Sequence, residues 1–154
     1  MIGNSIAGFL GTGVAVSASS FESIATATGT GSSGTITFSS IPATFKHLQI
    51  RCIAKDTFTA GGNVQEGWLQ FNSDTASNYS YHNLRGNGTA AAAGGVATNT
   101  VLDQAITIAM DSTSAVGVAI IDILDYASTS KYKTTRSFNG GDLNGSGYAK
   151  LSSG

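Results

Sequence analysis

Charged residues are scarce in this chain of 154 residues, and their scarcity excludes several classes of function. Lys and Arg number eight and Asp and Glu nine, so charged residues make up 11% of the chain, against ~25% in ordinary soluble domains. The net charge is −1, and the only cluster of basic residues is Lys131, Lys133 and Arg136. Binding of nucleic acid through a basic face is therefore not expected. A polar but weakly charged surface is typical of proteins that are covered by neighbours or that function outside the cell.

Residues that could act in catalysis or bind a metal ion are also few. Cys52 is the single cysteine, which excludes an internal disulfide and a cysteine-based zinc site. His47 and His82 have no acidic or cysteine partner at a metal-ligand spacing. Asp122 and Asp125 are three positions apart, which in a strand places them on opposite faces and argues against a simple acid–base pair. With no nucleophile motif either, we expect a protein that is not an enzyme and has no metal or cofactor.

Long apolar runs are missing as well. No segment reaches the roughly 18 apolar residues that span a bilayer, so we expect no membrane partner. The apolar residues within 2–16 are faintly like a signal peptide, but no Lys or Arg precedes Lys46, which argues against cleavage and secretion. Residues 1–20 carry no charge, and their glycines interrupt any periodic face. We predict an extended N-terminal arm that anchors the protein on a partner through its large apolar side chains, foremost Ile2, Ile6, Phe9 and Leu10.

From Phe21 onward, short runs of β-branched and aromatic residues alternate with clusters of Gly, Ser and Asn, which is typical of an all-β protein. The pattern predicts strands near residues 21–28, 34–39, 45–54, 66–72, 78–84, 100–110, 116–126, 131–138 and 147–152. We therefore expect residues 21–154 to form one antiparallel β-sandwich of eight or nine strands in two sheets, jelly-roll-like, behind the arm.

Four segments give finer expectations. In 45–54, apolar residues alternate with His47, Gln49 and Arg51, as in a half-buried strand with one face on the core. The run 115–124 is apolar at nearly every position, which predicts a central strand covered on both sides. The Gly-rich segments 86–95 and 139–147 are predicted to be loops or hairpin connections, with Asn144-Gly145 as a type I′ turn.

Part of the sequence resembles a family of virion proteins of tailed bacteriophages, which are described as structural, fibre or decoration proteins. The resemblance covers most of residues 21–153, and its best markers are Ile41-Pro42-Ala43-Thr44, Lys46-His47-Leu48-Gln49-Ile50-Arg51 and Ile123-Leu124-Asp125-Tyr126. It implies a virion protein without catalytic residues, assembled in the bacterial cytoplasm, with capsid or tail proteins as partners. It also implies a homo-oligomer, with a trimer favoured. Family members commonly continue beyond the final Ser-Ser-Gly, so the sandwich either ends here or lacks its last strands.

Two functions remain open at this point. The first is a head decoration protein, head fibre or tail fibre component that is anchored by its arm. The alternative is a module of the virion that recognises glycans of the host surface. Aromatic side chains on neighbouring strands could stack on sugar rings, and the candidate contacts are Trp68, Tyr79, Tyr81 and His82. A lone tryptophan in an all-β domain is more often part of the core, which favours the first function.

Overall fold

The computed structural model describes residues 21–56, 64–108, 115–144 and 146–154. These residues form eight strands and no helix, which confirms the all-β prediction. The strands are β1 (Leu48–Ala54), β2 (Gln65–Leu69), β3 (Tyr79–Gly86), β4 (Ala91–Asn99), β5 (Leu102–Ile108), β6 (Gly117–Leu124), β7 (Thr134–Asp142) and β8 (Gly147–Ser153). Within the described ranges, no helix is available that could span a membrane.

The strands form two antiparallel sheets in a sandwich-like arrangement. The larger sheet has six strands in the order β1-β6-β7-β8-β3-β4, and the smaller sheet pairs β2 with β5. The core lies where β5 packs on the middle of the large sheet. Leu102 and Ala105 of β5 are buried there against Ala119 and Ile121 of β6. The inner face of the large sheet is the one that contacts β2 and β5, and the outer face is the opposite one.

Strand β6 corrects one of the predictions made from the sequence. It is central, between β1 and β7, but it is covered on one side only. Ala119, Ile121 and Ile123 are buried on the inner face, whereas Val118 and Ile120 are about half exposed on the outer face. The apolar pattern on both faces of this strand therefore does not reflect two covering layers within the described residues.

Residues 21–28 and 34–39, predicted to be strands, have no strand structure. β-branched residues favour a strand only in the context of a neighbouring strand that pairs with them, so the residue pattern alone does not establish a strand. The chain divides into two units, residues 1–41 and residues 42–154, and all eight strands belong to the second. The predicted arm, residues 1–20, lies outside the described residues.

The Gly-rich segments 86–95 and 139–147 do contain the β3–β4 and β7–β8 connections, as predicted, but parts of both segments belong to the strands themselves. Much of 86–95 belongs to β4, a strand that sequence propensity misses because Ala and Gly form it through main-chain pairing with β3. Strand β7 likewise continues through Gly140 to Asp142. A Cβ atom at Gly140 would lie 2.4 Å from the carbonyl oxygen of Tyr148, so this strand pair accepts only glycine there. The turn that follows does contain Asn144 with a φ of 58°, as the type I′ prediction requires of that residue.

Candidate functional site

A row of apolar side chains crosses the outer face of the six-stranded sheet. It follows the cross-strand register from Ile120 in β6 to Phe138, Leu151, Leu84 and Ala93 in the next four strands. Phe138 and Leu151 are 58% and 55% exposed. We call this line of residues the apolar row; Ile53 and Val118, paired with each other, extend it at the β1–β6 end.

The apolar row is bordered by a row of polar residues, which contains Gln49, Asp122, Arg136, Ser153 and His82 in register order. Asp122 accepts hydrogen bonds from the Gln49 amide at 2.9 Å and from Arg136 Nε at 2.8 Å. These two bonds and the Arg136 charge hold the pKa of Asp122 below its usual range. The charges of this border are therefore paired with each other before any partner arrives.

The extent of the apolar row sets it apart from scattered surface hydrophobes. Six large apolar side chains, between 46% and 76% exposed, present on the order of 500 Å² of apolar surface. The largest apolar patch of a soluble monomer is commonly about this size and is often functional. A shallow depression of about 520 Å³ along the row is lined by Leu84, Ile120, Phe138 and Leu151 together with polar residues of the border.

The inner face of the same strands is polar where it meets β2 and β5. Asn139 accepts a hydrogen bond from the buried Thr107 hydroxyl and donates to Ser137 at 2.9 Å. Its amide also donates to the main-chain oxygen of Gln104 at 3.4 Å, and the Ser152 hydroxyl donates to that same oxygen at 2.8 Å. We call this set of buried side chains the inner network. It satisfies polar groups that would be costly to bury alone.

Lys150 is the centre of the inner network. Its side chain is fully buried, and its ammonium donates to Glu66 and, at 2.7 Å, to the side-chain oxygen of Gln104. The ammonium also lies 4.9 Å from the centre of the Tyr148 ring, within reach of a cation–π interaction. Burial lowers the pKa of Lys150, an effect that the bond to Glu66 partly offsets. The sequence does not predict the burial of Lys150, because a lysine in a strand is usually exposed.

A groove opens between β2 and β5, beside the indole of Trp68, which is 62% exposed. The strand register shifts here: Gly67 pairs with Ile106 and Leu69 with Leu102. Three residues of β5, centred on Gln104, therefore face the single residue Trp68. Such bulges re-aim side chains and are common beside binding sites.

Gln104 has a left-handed backbone with a φ of 63°, a conformation that costs energy in a residue other than glycine. The conformation is held in place because the Gln104 N–H donates to the Asp103 carboxylate at 2.7 Å, while its main-chain and side-chain oxygens accept bonds from the inner network. The bulge thus places Asp103 at the groove with the Gln104 amide beside it. The groove, with a volume of about 570 Å³, is lined by Gln65, Glu66, Trp68, Asn99, Thr100, Val101, Asp103 and Gln104.

The structure separates the four residues predicted to contact a glycan. Trp68 is exposed at the groove, which differs from the core position typical of a lone tryptophan. Tyr79 stacks on Phe71, and both Tyr79 and Tyr81 pack against the core cluster. His82 lies in the polar border on the outer face of the large sheet. The four side chains therefore do not form one aromatic platform. The predicted anchoring residues Ile2, Ile6, Phe9 and Leu10 lie outside the described residues.

The segments that carry the family resemblance contact each other. Leu48 pairs with Ile123 at one end of the β1–β6 ladder. Beyond that pair, His47 Nδ1 accepts the main-chain N–H of Asp125 at 3.0 Å, and the Tyr126 hydroxyl donates to the carbonyl oxygen of Pro42. These markers are thus joined at one end of the sheet, where they fix the entry of the chain into β1.

Within the described ranges, no group of three or more His, Cys, Asp or Glu side chains is arranged to hold a metal ion. Comparison with protein-family models, with curated proteins and with solved structures finds no match to this chain.

Proposed function

We propose that the chain is a structural protein of a tailed-phage particle, in which copies of the sandwich associate through the apolar row. The observation that carries the proposal is the exposure of Ile120, Phe138, Leu151 and Leu84 in one continuous line across four strands. In a monomer this line would leave apolar surface in water at a cost of about 25 cal/mol per Å². An assembled particle, in which neighbouring subunits cover that surface, removes the cost.

A second copy of the chain is the occupant that fits this surface best. The border charges Asp122 and Arg136 are already paired, so an approaching identical surface meets no unpaired charge from these two residues. With a net charge of only −1, the copies repel each other weakly. Stable interfaces bury about 800 Å² per partner, with an apolar centre and a polar rim. The apolar row would supply more than half of this area and the border would supply the rim.

The resemblance and residues 1–20 support a proposal for how the protein joins the particle. The resemblance favours a trimer and a head decoration, head fibre or tail fibre. The uncharged first twenty residues, with Ile2, Ile6, Phe9 and Leu10, would anchor the trimer by adding an extended segment to a capsid or tail protein. In this proposal the sandwich sets the oligomeric state and the arm sets the location in the virion.

The proposal is tested on the full chain by native mass spectrometry and light scattering. The wild type should be an oligomer, with a trimer expected, and Phe138→Ser should shift it to monomers at micromolar concentration. Tyr132→Ser is the matched control, because Tyr132 is an aromatic residue that is 99% exposed and is not part of the apolar row. A monomeric wild type, or an oligomer that survives Phe138→Ser, would contradict self-assembly through this face.

The virion role needs a separate measurement. In particles purified from the phage that encodes the chain, mass spectrometry should detect it in many copies. A chain lacking residues 1–20 should still form the oligomer but should not join particles in a complementation assay. Its incorporation at normal copy number would transfer the anchoring role from the arm to the sandwich.

A further inference from the structure

We propose that the groove beside Trp68 binds a neutral saccharide, with one sugar ring stacked on the indole. This proposal concerns the β2–β5 sheet and is independent of the outer face used for assembly. It rests on the exposed Trp68, on the bulge opposite it and on the residue types that line the groove.

The indole supplies the apolar part of such a site. One face of a pyranose ring carries mainly C–H groups, whereas its edge carries hydroxyls, so a saccharide presents an apolar face and a polar rim. Trp68 offers a large flat surface of matching character, and 62% of it is accessible. Its position in β2 is fixed because the neighbouring residues Gly67 and Leu69 pair with β5.

The rim of the groove supplies the hydrogen-bonding groups. Asn99 Oδ1 accepts the main-chain N–H of Thr100 at 2.8 Å, and Asp103 Oδ1 accepts that of Gln104 at 2.7 Å. These bonds orient both side chains and involve only one polar atom of each. The amide nitrogen of Asn99 and the second carboxylate oxygen of Asp103 take no part in them, so a donor and an acceptor remain for sugar hydroxyls.

The strain at Gln104 supports a binding role for the bulge. A regular strand would pair one residue with Trp68, whereas here three residues face it and one of them has a left-handed backbone. Strained residues that are held by a surrounding network are concentrated at ligand sites. The network here includes the bond of Lys150 to the Gln104 side chain, so the buried interior holds the floor of the groove rigid.

The charge of the groove selects the class of saccharide. Glu66 and Asp103 are among its lining residues, and no Lys or Arg is. Glu66 is paired with the buried Lys150, so the carboxylate of Asp103 is the one that an acidic polysaccharide or a nucleic acid would meet without a compensating cation. A neutral glycan meets neither repulsion nor an unpaired positive charge, and it is the ligand expected here.

Because Trp68 is the only tryptophan of the chain, its fluorescence reports on this groove alone. The probes are maltohexaose, cellohexaose and chitohexaose, titrated into the full-length protein. At least one should shift the emission maximum to shorter wavelength in a saturable manner, as water is displaced from the indole. If none of the three produces a saturable change, the proposal is overturned. Saturable binding of hexalysine alone would equally overturn it, in favour of a cationic ligand.

Variants then locate the site by calorimetry with the probe that binds. Trp68→Ala should weaken binding by about tenfold or more, Trp68→Phe should give an intermediate loss, and Asp103→Ala should weaken binding several-fold. The control Tyr132→Ala should leave affinity unchanged. Circular dichroism checks that each variant keeps its β-sheet spectrum. Unchanged affinity in the folded Trp68→Ala or Trp68→Phe variants would overturn the proposal.

One further variant separates this proposal from self-assembly. Phe138→Ser, which removes the centre of the apolar row, should bind the saccharide as the wild type does. Loss of saccharide binding in this variant would overturn a site contained in a single copy. Failure of the oligomer test, in contrast, leaves the outcome of the saccharide titration unaffected.

Discussion

In strands β7 and β8, polar side chains lie on the inner face and apolar side chains lie on the outer face, which reverses the usual arrangement. On the inner face, Asn139 and Lys150 are fully buried among hydrogen-bonding partners, while their sequence neighbours Phe138 and Leu151 are exposed on the outer face. In a sandwich that functions alone, the apolar set would face the second sheet. The second sheet, β2–β5, therefore supplies hydrogen-bonding partners for buried polar groups and also covers the apolar core. The outer face is the one on which apolar side chains stay exposed.

The largest effect on stability is expected from removing the charge at the centre of the inner network. Lys150→Met should lower the free energy of unfolding by about 3 kcal/mol, the low end for breaking a buried ion pair, because it leaves the partly buried Glu66 without its cation. Guanidinium denaturation at pH 7 measures the effect. The double variant Lys150→Met with Glu66→Leu should recover part of the loss. A cost below about 1 kcal/mol for the single change would mean that water reaches Glu66.

A smaller effect is expected from a neutral member of the network. Asn139→Leu should cost about 1–3 kcal/mol, because the buried Thr107 hydroxyl loses its acceptor and Gln104 loses a donor to its main-chain oxygen. Thr107→Val combined with Asn139→Leu is the matched control, because it removes the hydroxyl that would otherwise lack its acceptor, and it should recover part of the loss. Thermal unfolding of both variants provides the comparison, and an unchanged melting temperature for Asn139→Leu would contradict a structural role for this network.

A still smaller effect on stability is expected at the neighbouring position 138, on the outer face. In the isolated monomer, Phe138→Ser should change the free energy of unfolding by less than about 1 kcal/mol, since the side chain is 58% exposed. Urea unfolding below the dissociation concentration is the measurement. A loss comparable with that of Asn139→Leu would indicate that Phe138 packs within one copy, and the outer face would then not be an unpartnered surface.

The smallest effect concerns the polar border and depends on pH. Hydrogen bonds from Gln49 and Arg136 lower the pKa of Asp122 from its ordinary 3.8. The resulting stabilisation is present above pH 3.8 and is lost as the pH falls through the lower pKa of the folded state. The side chains are partly exposed, so the contribution is less than about 1 kcal/mol. In Asp122→Asn, stability should decline less between pH 4 and pH 2, and identical acid profiles would exclude the contribution.

The sequence was sufficient to predict the fold class and seven of the eight strands, because alternation in segments such as 45–54 depends on burial that the sheet provides. It was insufficient for β4, whose Ala and Gly residues carry no strand propensity. The sequence was also insufficient to predict that the outer face is uncovered, although its apolar residues are visible in the sequence. Apolar residues on both faces of 115–124 were interpreted as two covering layers, when one of those layers is absent from the described residues. The groove was missed because the bulge at Gln104 has no sequence motif.

Strand β4 has a consequence for how the sheet exchanges its amide protons with solvent. It lies at the edge of the sheet, bonds to β3 alone, and contains Ala91–Ala93, Gly94 and Gly95, which bring almost no side chain to hold it. Local opening of β4 breaks few buried contacts. The free energy of that opening is therefore low compared with the free energy of global unfolding. The amides of β4 should therefore exchange earliest among the six strands, while those of β6, which is paired on both sides and contains the buried Ala119 and Ile121, should exchange last.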